Sequence, residues 1–146
     1  MLRYKEFEHT ADIGVEIYGN TLENLFVNAG YALFDIIVDA TTITPTITRS
    51  VRITGTDVEM LLMNWLRELL YLFSVHQEVY AEFEMQSIQT PSGVQTSVCT
   101  LEARVRGEPL DPEKHDFRTE IKAITYHQFA VTHENDIWNA RVLFDV

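Results

Sequence analysis

One cysteine, Cys99, stands in the whole chain, so an internal disulfide and a thiolate metal cluster are both excluded. That scarcity favours a reducing compartment. The opening MLRYKEFE lacks an apolar core of signal-peptide length, and no run approaches a membrane span, which leads us to expect a cytosolic protein. Positive charge is also scarce: 11 lysines and arginines stand against 22 acidic residues, for a net charge of −11. A chain this negative repels phosphate backbones and lacks the cation density that drives nucleic-acid binding, so direct tight RNA or DNA binding is disfavoured. Missing too are a Gly-rich phosphate loop, GxSxG, HExxH and CxxC. The five histidines are scattered, without the short fixed spacing of a zinc site.

What is present is a core. The 146 residues are 46% hydrophobic and include 8 Phe, 6 Tyr and 2 Trp, enough to fill one globular domain. Residues 3–8 and 13–18 read as strands on either side of HTAD, with Ile13, Val15 and Ile17 alternating against Gly14, Glu16 and Tyr18. Gly19 breaks the run. Asn20, with Glu23 three residues on, predicts a capped helix whose apolar face carries Leu22, Leu25, Phe26, Ala29, Leu33 and Ile36, fading near Asp39.

The same order then recurs, without a close sequence repeat. Residues 48–54 read as a strand ended by Gly55. Thr56 and Glu59 form a capping-box pattern, and Val58, Leu61, Leu62, Trp65, Leu69 and Phe73 line one helical stripe. Beyond it, VYAEFEM alternates Val79, Ala81, Phe83 and Met85 against Tyr80, Glu82 and Glu84. PSG at 91–93 signals a turn, and Cys99, Leu101, Ala103 and Val105 face one way on the returning strand. A polar loop over 107–116 leads into a long strand, TEIKAITYHQFAVT. HEND turns the chain into a last strand that buries Trp138, Ala140, Val142 and Phe144. The expected fold is α+β, two helices packed on mostly antiparallel sheet.

Two acidic residues bracket this layout. Asp12 has two readings: a turn residue bonding its own backbone, or a ligand; His9 caps or fills the same turn. Asp145 lies one residue from the carboxylate of Val146. Should the last strand pair near the first turn, these oxygens converge as a set suited to a hard cation, calcium before magnesium.

The stretches EHTADIGVEIYG, MNWLRELLYLF, GEPLDPEKHDFRTEIKAITYHQ and ARVLFDV together resemble the archease family, in order and across essentially the whole chain. The resemblance implies a single domain over 1–146, built as a strand–helix–strand–strand module carrying an inserted relative of itself at roughly 46–106. It implies an accessory protein of the GTP-dependent tRNA-splicing RNA ligase, the enzyme that joins cyclic-phosphate to 5′-hydroxyl RNA ends. Such a protein promotes guanylylation of the ligase and its multiple turnover, and joins no RNA itself. The resemblance further implies a divalent metal, calcium, on Asp12, Asp145 and Val146. Partner contacts are expected at His9, Lys114 and Lys122. Other readings of the same chain are a chaperone of RNA-modifying enzymes, a metal-dependent hydrolase using the same carboxylates, and a small-molecule-binding module.

Overall fold

A computed structural model describes residues 2–91 and 98–146. Two antiparallel strands, β1 (Tyr4–His9) and β2 (Asp12–Gly19), precede helix α1 (Leu22–Ile37) and a 3-10 turn at Ala40–Thr42. Next come β3 (Ile47–Gly55), α2 (Val58–His76), β4 (Glu78–Gln89) and β5 (Cys99–Pro109). The chain finishes with β6 (Ala123–Glu134) and β7 (Ile137–Asp145). One sheet has the order β1-β2-β7-β6 and the other β3-β5-β4, and every strand pair is antiparallel. The α+β architecture with two helices is the one expected from the sequence. Each helix touches both sheets, α1 lying on β2 and β4 and α2 on β3 and β6. This two-sided packing leaves Leu25, Phe26, Leu33, Leu61, Leu62, Trp65 and Leu69 with no exposed surface. None of the described helices is long and apolar enough to cross a membrane.

Strand, tight turn and helix are built alike at the two helix starts. Gly19 and Gly55 each end a strand where the helix backbone passes close: a Cβ would lie 2.4 Å from the amide nitrogen of Leu25 in one case and 2.5 Å from that of Leu61 in the other. Two residues on, Thr21 and Asp57 are the caps, accepting from the N–H groups of Asn24 and Met60. Asn28 and Asn64 then each donate at 2.7 Å to the carbonyl just before the glycine, that of Tyr18 or Thr54. The caps therefore fall one residue later than Asn20 and Thr56, the residues expected, because each glycine turn is one residue longer than the pattern suggests. Equal spacing of these four positions is a repeat of geometry that side-chain identity conceals.

Alternation fails where strands bulge. The register of β4 slips between Tyr80 and Glu82, so Tyr80 is fully buried against Phe34 instead of facing out with Glu82 and Glu84. Cys99 is buried, as a small core residue should be. The long strand expected at 119–132 begins only at Ala123, because residues 110–122 form a strap whose Arg118 N–H donates to the Ile37 carbonyl at 2.8 Å, satisfying the end of α1. The turn expected at PSG extends beyond the described residues.

Candidate functional site

The β1–β2 connection is two residues, Thr10 and Ala11, and the left-handed backbone falls on Ala11 at φ 65°. Asp12 is thus not a central turn residue. It is the first residue of β2, paired with His9 on one side and with Asp145 of β7 on the other; Asp145 in turn pairs with Ala123 of β6. Directly opposed residues project to the same face. His9, Asp12 and Asp145 therefore form one row across three strands, on the face away from the helices. The next row of that face is Phe7, Gly14, Leu143 and Thr125. The Phe7 ring lies flat across Gly14, where a Cβ would come within 2.2 Å of it, and the Arg141 guanidinium sits 3.9 Å from the ring centre. Leu143 is fully buried on this outward face, outside the main core.

β6 contributes an unforeseen group. Thr125 pairs with Leu143, but the next pairing is Ala130 with Arg141, so β6 loops out between them, with Gln128 at φ 56°. The loop returns His127 to the row, its ring centre 5.9 Å from that of His9 and edge-on to it. Arg141 donates to Gln128 Oε1 at 3.1 and 3.2 Å, holding the loop down. Among the described residues, the buried side-chain polar atoms without a hydrogen-bond partner are His9 Nδ1 and Thr125 Oγ1, in adjacent rows of this face. His9 Nδ1 is 3.4 Å from Asp12 Oδ2, close enough for an ion pair but not aligned as a hydrogen bond.

The donor set suits a cation. Two carboxylates directly opposed on neighbouring strands repel unless a cation or proton lies between them, and the unpartnered His9 nitrogen adjoins them. As the side chains stand, no three His, Cys, Asp or Glu among the described residues close round one point, so this is an open row of side chains and not a metal cage. The depression beside it, lined by Glu6, Phe7, Glu8, His9, Thr10, Asp12 and Ile13, is open to solvent.

The remaining residues singled out in the sequence divide. Lys122 adjoins the row, its N–H donating to the Asp145 carbonyl at 2.8 Å. Lys114 belongs elsewhere, at the loop after β5, where its ammonium donates to Glu108 Oε1 at 2.9 Å and to Thr44 Oγ1 at 2.7 Å. Fully buried His115 completes that network, accepting the Asp111 N–H at Nδ1 and lying 2.8 Å from Glu108 through Nε2. Burial pushes the Glu108 carboxyl up, but Lys114, the Thr44 N–H and His115 outweigh it and hold the group down at about 2. Because the folded value lies below the ordinary 4.5, the network's stabilisation is fully present above about pH 4.5 and is lost as pH falls towards 2. Unfolding free energies measured by urea titration should fall across that window. In Glu108→Gln the slope should be shallower; an unchanged slope would assign the acid sensitivity to other carboxylates.

Fold and site together define a class: an acidic two-sheet protein whose first and last core strands bring carboxylates side by side at one end of an open sheet face. Comparison with known proteins narrows it. The model of the Archease protein family matches residues 4–146, and the chain belongs to that family. An archease of Methanosarcina acetivorans is 41% identical over 144 residues, 99% of this chain and 96% of that one. An archease of Pyrococcus abyssi is 40% identical over the full length of both chains. The solution structure of Methanobacterium thermoautotrophicum protein 1598 superposes with a TM-score of 0.80, at 30% identity and with 99% of each chain covered. The crystal structure of a Thermotoga maritima archease has the same fold, with a TM-score of 0.63 over 97% of this chain and 96% of that one, at 24% identity.

Proposed function

We propose that this protein is a non-catalytic accessory that activates the GTP-dependent tRNA-splicing RNA ligase, promoting its guanylylation and repeated turnover. Membership of the archease family supports the partner, and the cross-strand pairing of Asp12 with Asp145 supports the mode of action. In this reading Asp12, Asp145 and the terminal carboxylate of Val146 hold a divalent cation, calcium first, with His9 beside them. The cation would supply a charge that two opposed carboxylates need and that a partner's anionic groups can share. The chain's own residues do the rest: the β2–β7 register presents the carboxylates together, and the Phe7–Arg141 stack covers the adjoining row. A net charge of −11 would speed encounter with a basic ligase surface and keep free RNA away.

The test is a multiple-turnover ligation assay with GTP and metal. The protein should raise the number of RNA joints per ligase and the guanylylated fraction of ligase, and alone should join none. Ligation past the first turnover that is unchanged by the protein would sink the proposal. A companion experiment concerns Val146. A short C-terminal tag turns its carboxylate into a neutral amide, so it should weaken both calcium binding and activation, whereas the same tag before Met1 should leave both intact. Equal behaviour of the two tagged proteins would remove Val146 from the ligand set.

A further inference from the structure

Most cations of this chain are neutralised at home. Arg49, Arg104, Arg106 and Arg141 each face a glutamate, and Arg118 faces Asp35 and Asp39. Among the described residues Arg3, Lys5, Arg67 and Lys122 have no carboxylate in ion-pair contact, and of these Arg67 and Lys122 together line one groove of about 300 Å³ between α2 and the start of β6. The floor of that groove is apolar, formed by Leu70 and Ile124. Tyr71 of α2, 56% exposed, also lines the groove, and Arg67 is itself held by Tyr126, its guanidinium lying 4.7 Å from the ring centre and donating to the hydroxyl at 2.8 Å. That contact fixes Arg67 in place, so a partner meeting it loses little side-chain freedom.

The surroundings narrow the occupant. β6 is an edge strand, with one side of its backbone free of any strand partner. At its far end that edge is closed, since Glu59 of α2 accepts the Val131 N–H at 3.0 Å; among the described residues no side chain is bonded to the β6 backbone beside the groove. An open edge flanked by a pocket suits an extended chain, with backbone bonds for affinity and side chains for specificity. Two unneutralised cations favour an anionic occupant. Two are too few for RNA, which draws on many phosphate contacts and is repelled by the overall charge of −11. The apolar floor asks for a bulky aliphatic or aromatic side chain.

We propose that this groove docks an extended acidic segment of a partner protein, its apolar side chain resting on Leu70 and Ile124 and its flanking carboxylates on Arg67 and Lys122. The surface uses neither member of the carboxylate pair but shares Lys122 with the contacts expected toward the ligase; peptide binding, which needs neither ligase nor metal, tests it separately from that reading.

A random dodecapeptide library displayed on phage is selected against the immobilised full chain. The enriched peptides, made synthetically, are then titrated by fluorescence polarisation. Expected are peptides with acidic residues around a large apolar one, bound at least about tenfold more weakly by Arg67→Glu and by Lys122→Glu, and more weakly by Tyr71→Ala. All three positions are exposed, and far-UV circular dichroism of each variant should match the parent. Oligouridylate is titrated in parallel and should not bind. Failure to enrich any peptide, enrichment without acidic bias, or equal binding by the charge-reversed variants would overturn the proposal. Oligouridylate binding that disappears in Arg67→Glu would overturn it in favour of a nucleic-acid surface.

Discussion

Trp65→Ala should lower the unfolding free energy by about 3–5 kcal/mol, a loss comparable with much of a domain's total stability. Trp65 has no exposed surface, lies edge-on to Phe83 with ring centres 6.1 Å apart, and donates its indole N–H to the Phe26 carbonyl at 2.9 Å. It is thus at once the bridge between the two helices and a contact of α2 with the three-stranded sheet. Alanine would open a cavity among groups held on several sides, none free to collapse into it. Trp65→Phe keeps most of the volume but not the donor, and should cost distinctly less than alanine, the lost bond alone being worth about 1 kcal/mol. Urea unfolding followed by far-UV circular dichroism measures both. A loss below about 1 kcal/mol for alanine would mean that the helices repack without this residue.

Asp12→Ala should have opposite effects on stability and on function. Calcium at about a hundred times its dissociation constant should stabilise the parent by about 2.7 kcal/mol. Most of that gain should vanish in the variant, together with ligase activation. In metal-free buffer, however, the variant should be at least as stable as the parent, by up to about 1 kcal/mol, because alanine removes one of two like charges placed opposite each other. A simple structural role for Asp12 predicts the reverse in metal-free buffer. Full activation by a folded Asp12→Ala protein would remove this residue from the site.

Much of the architecture was legible because it rests on local periodicity. The stripes Leu25–Phe26–Ala29–Leu33 and Leu61–Leu62–Trp65–Leu69 are all buried, as helical spacing requires. The doubled strand–helix order was equally plain from its two glycine breaks. Caps were misplaced by one residue, since Asn20 and Thr56 are as good by type as Thr21 and Asp57, and only the turn geometry separates them. Tyr80, Leu143 and His127 were missed for a different reason. Each owes its position to a non-local feature: a slip in the β4 register, a ring lying across the far side of the sheet, and a loop in β6. Burial on the second face and bulges leave no periodic trace. Of the site, residue types were readable and their meeting was not. Asp12 opposite Asp145 depends on pairing between the two ends of the chain, and the family resemblance named these residues without supplying the register. The left-handed φ of Gln128 lies inside a strand-like TYHQ, and nothing in the composition of that stretch announces it.

The two sheets differ in when they can exist. The three-stranded sheet draws all its strands from residues 47–109, with β4 and β5 as consecutive neighbours, so its contacts can close while the rest of the chain is still being made. The four-stranded sheet cannot. Its centre is β2 against β7, near the two ends of the sequence, and until β7 arrives β2 holds only β1 while β6 has no partner. Long-range closure of this kind is slow and comes late. The row of His9, Asp12 and Asp145 therefore forms only after synthesis has passed its final strand. A chain cut short between β5 and β7 carries the HTAD turn but not the Asp12–Asp145 pair, so under the proposed function it should fold its three-stranded sheet and yet fail to activate the ligase.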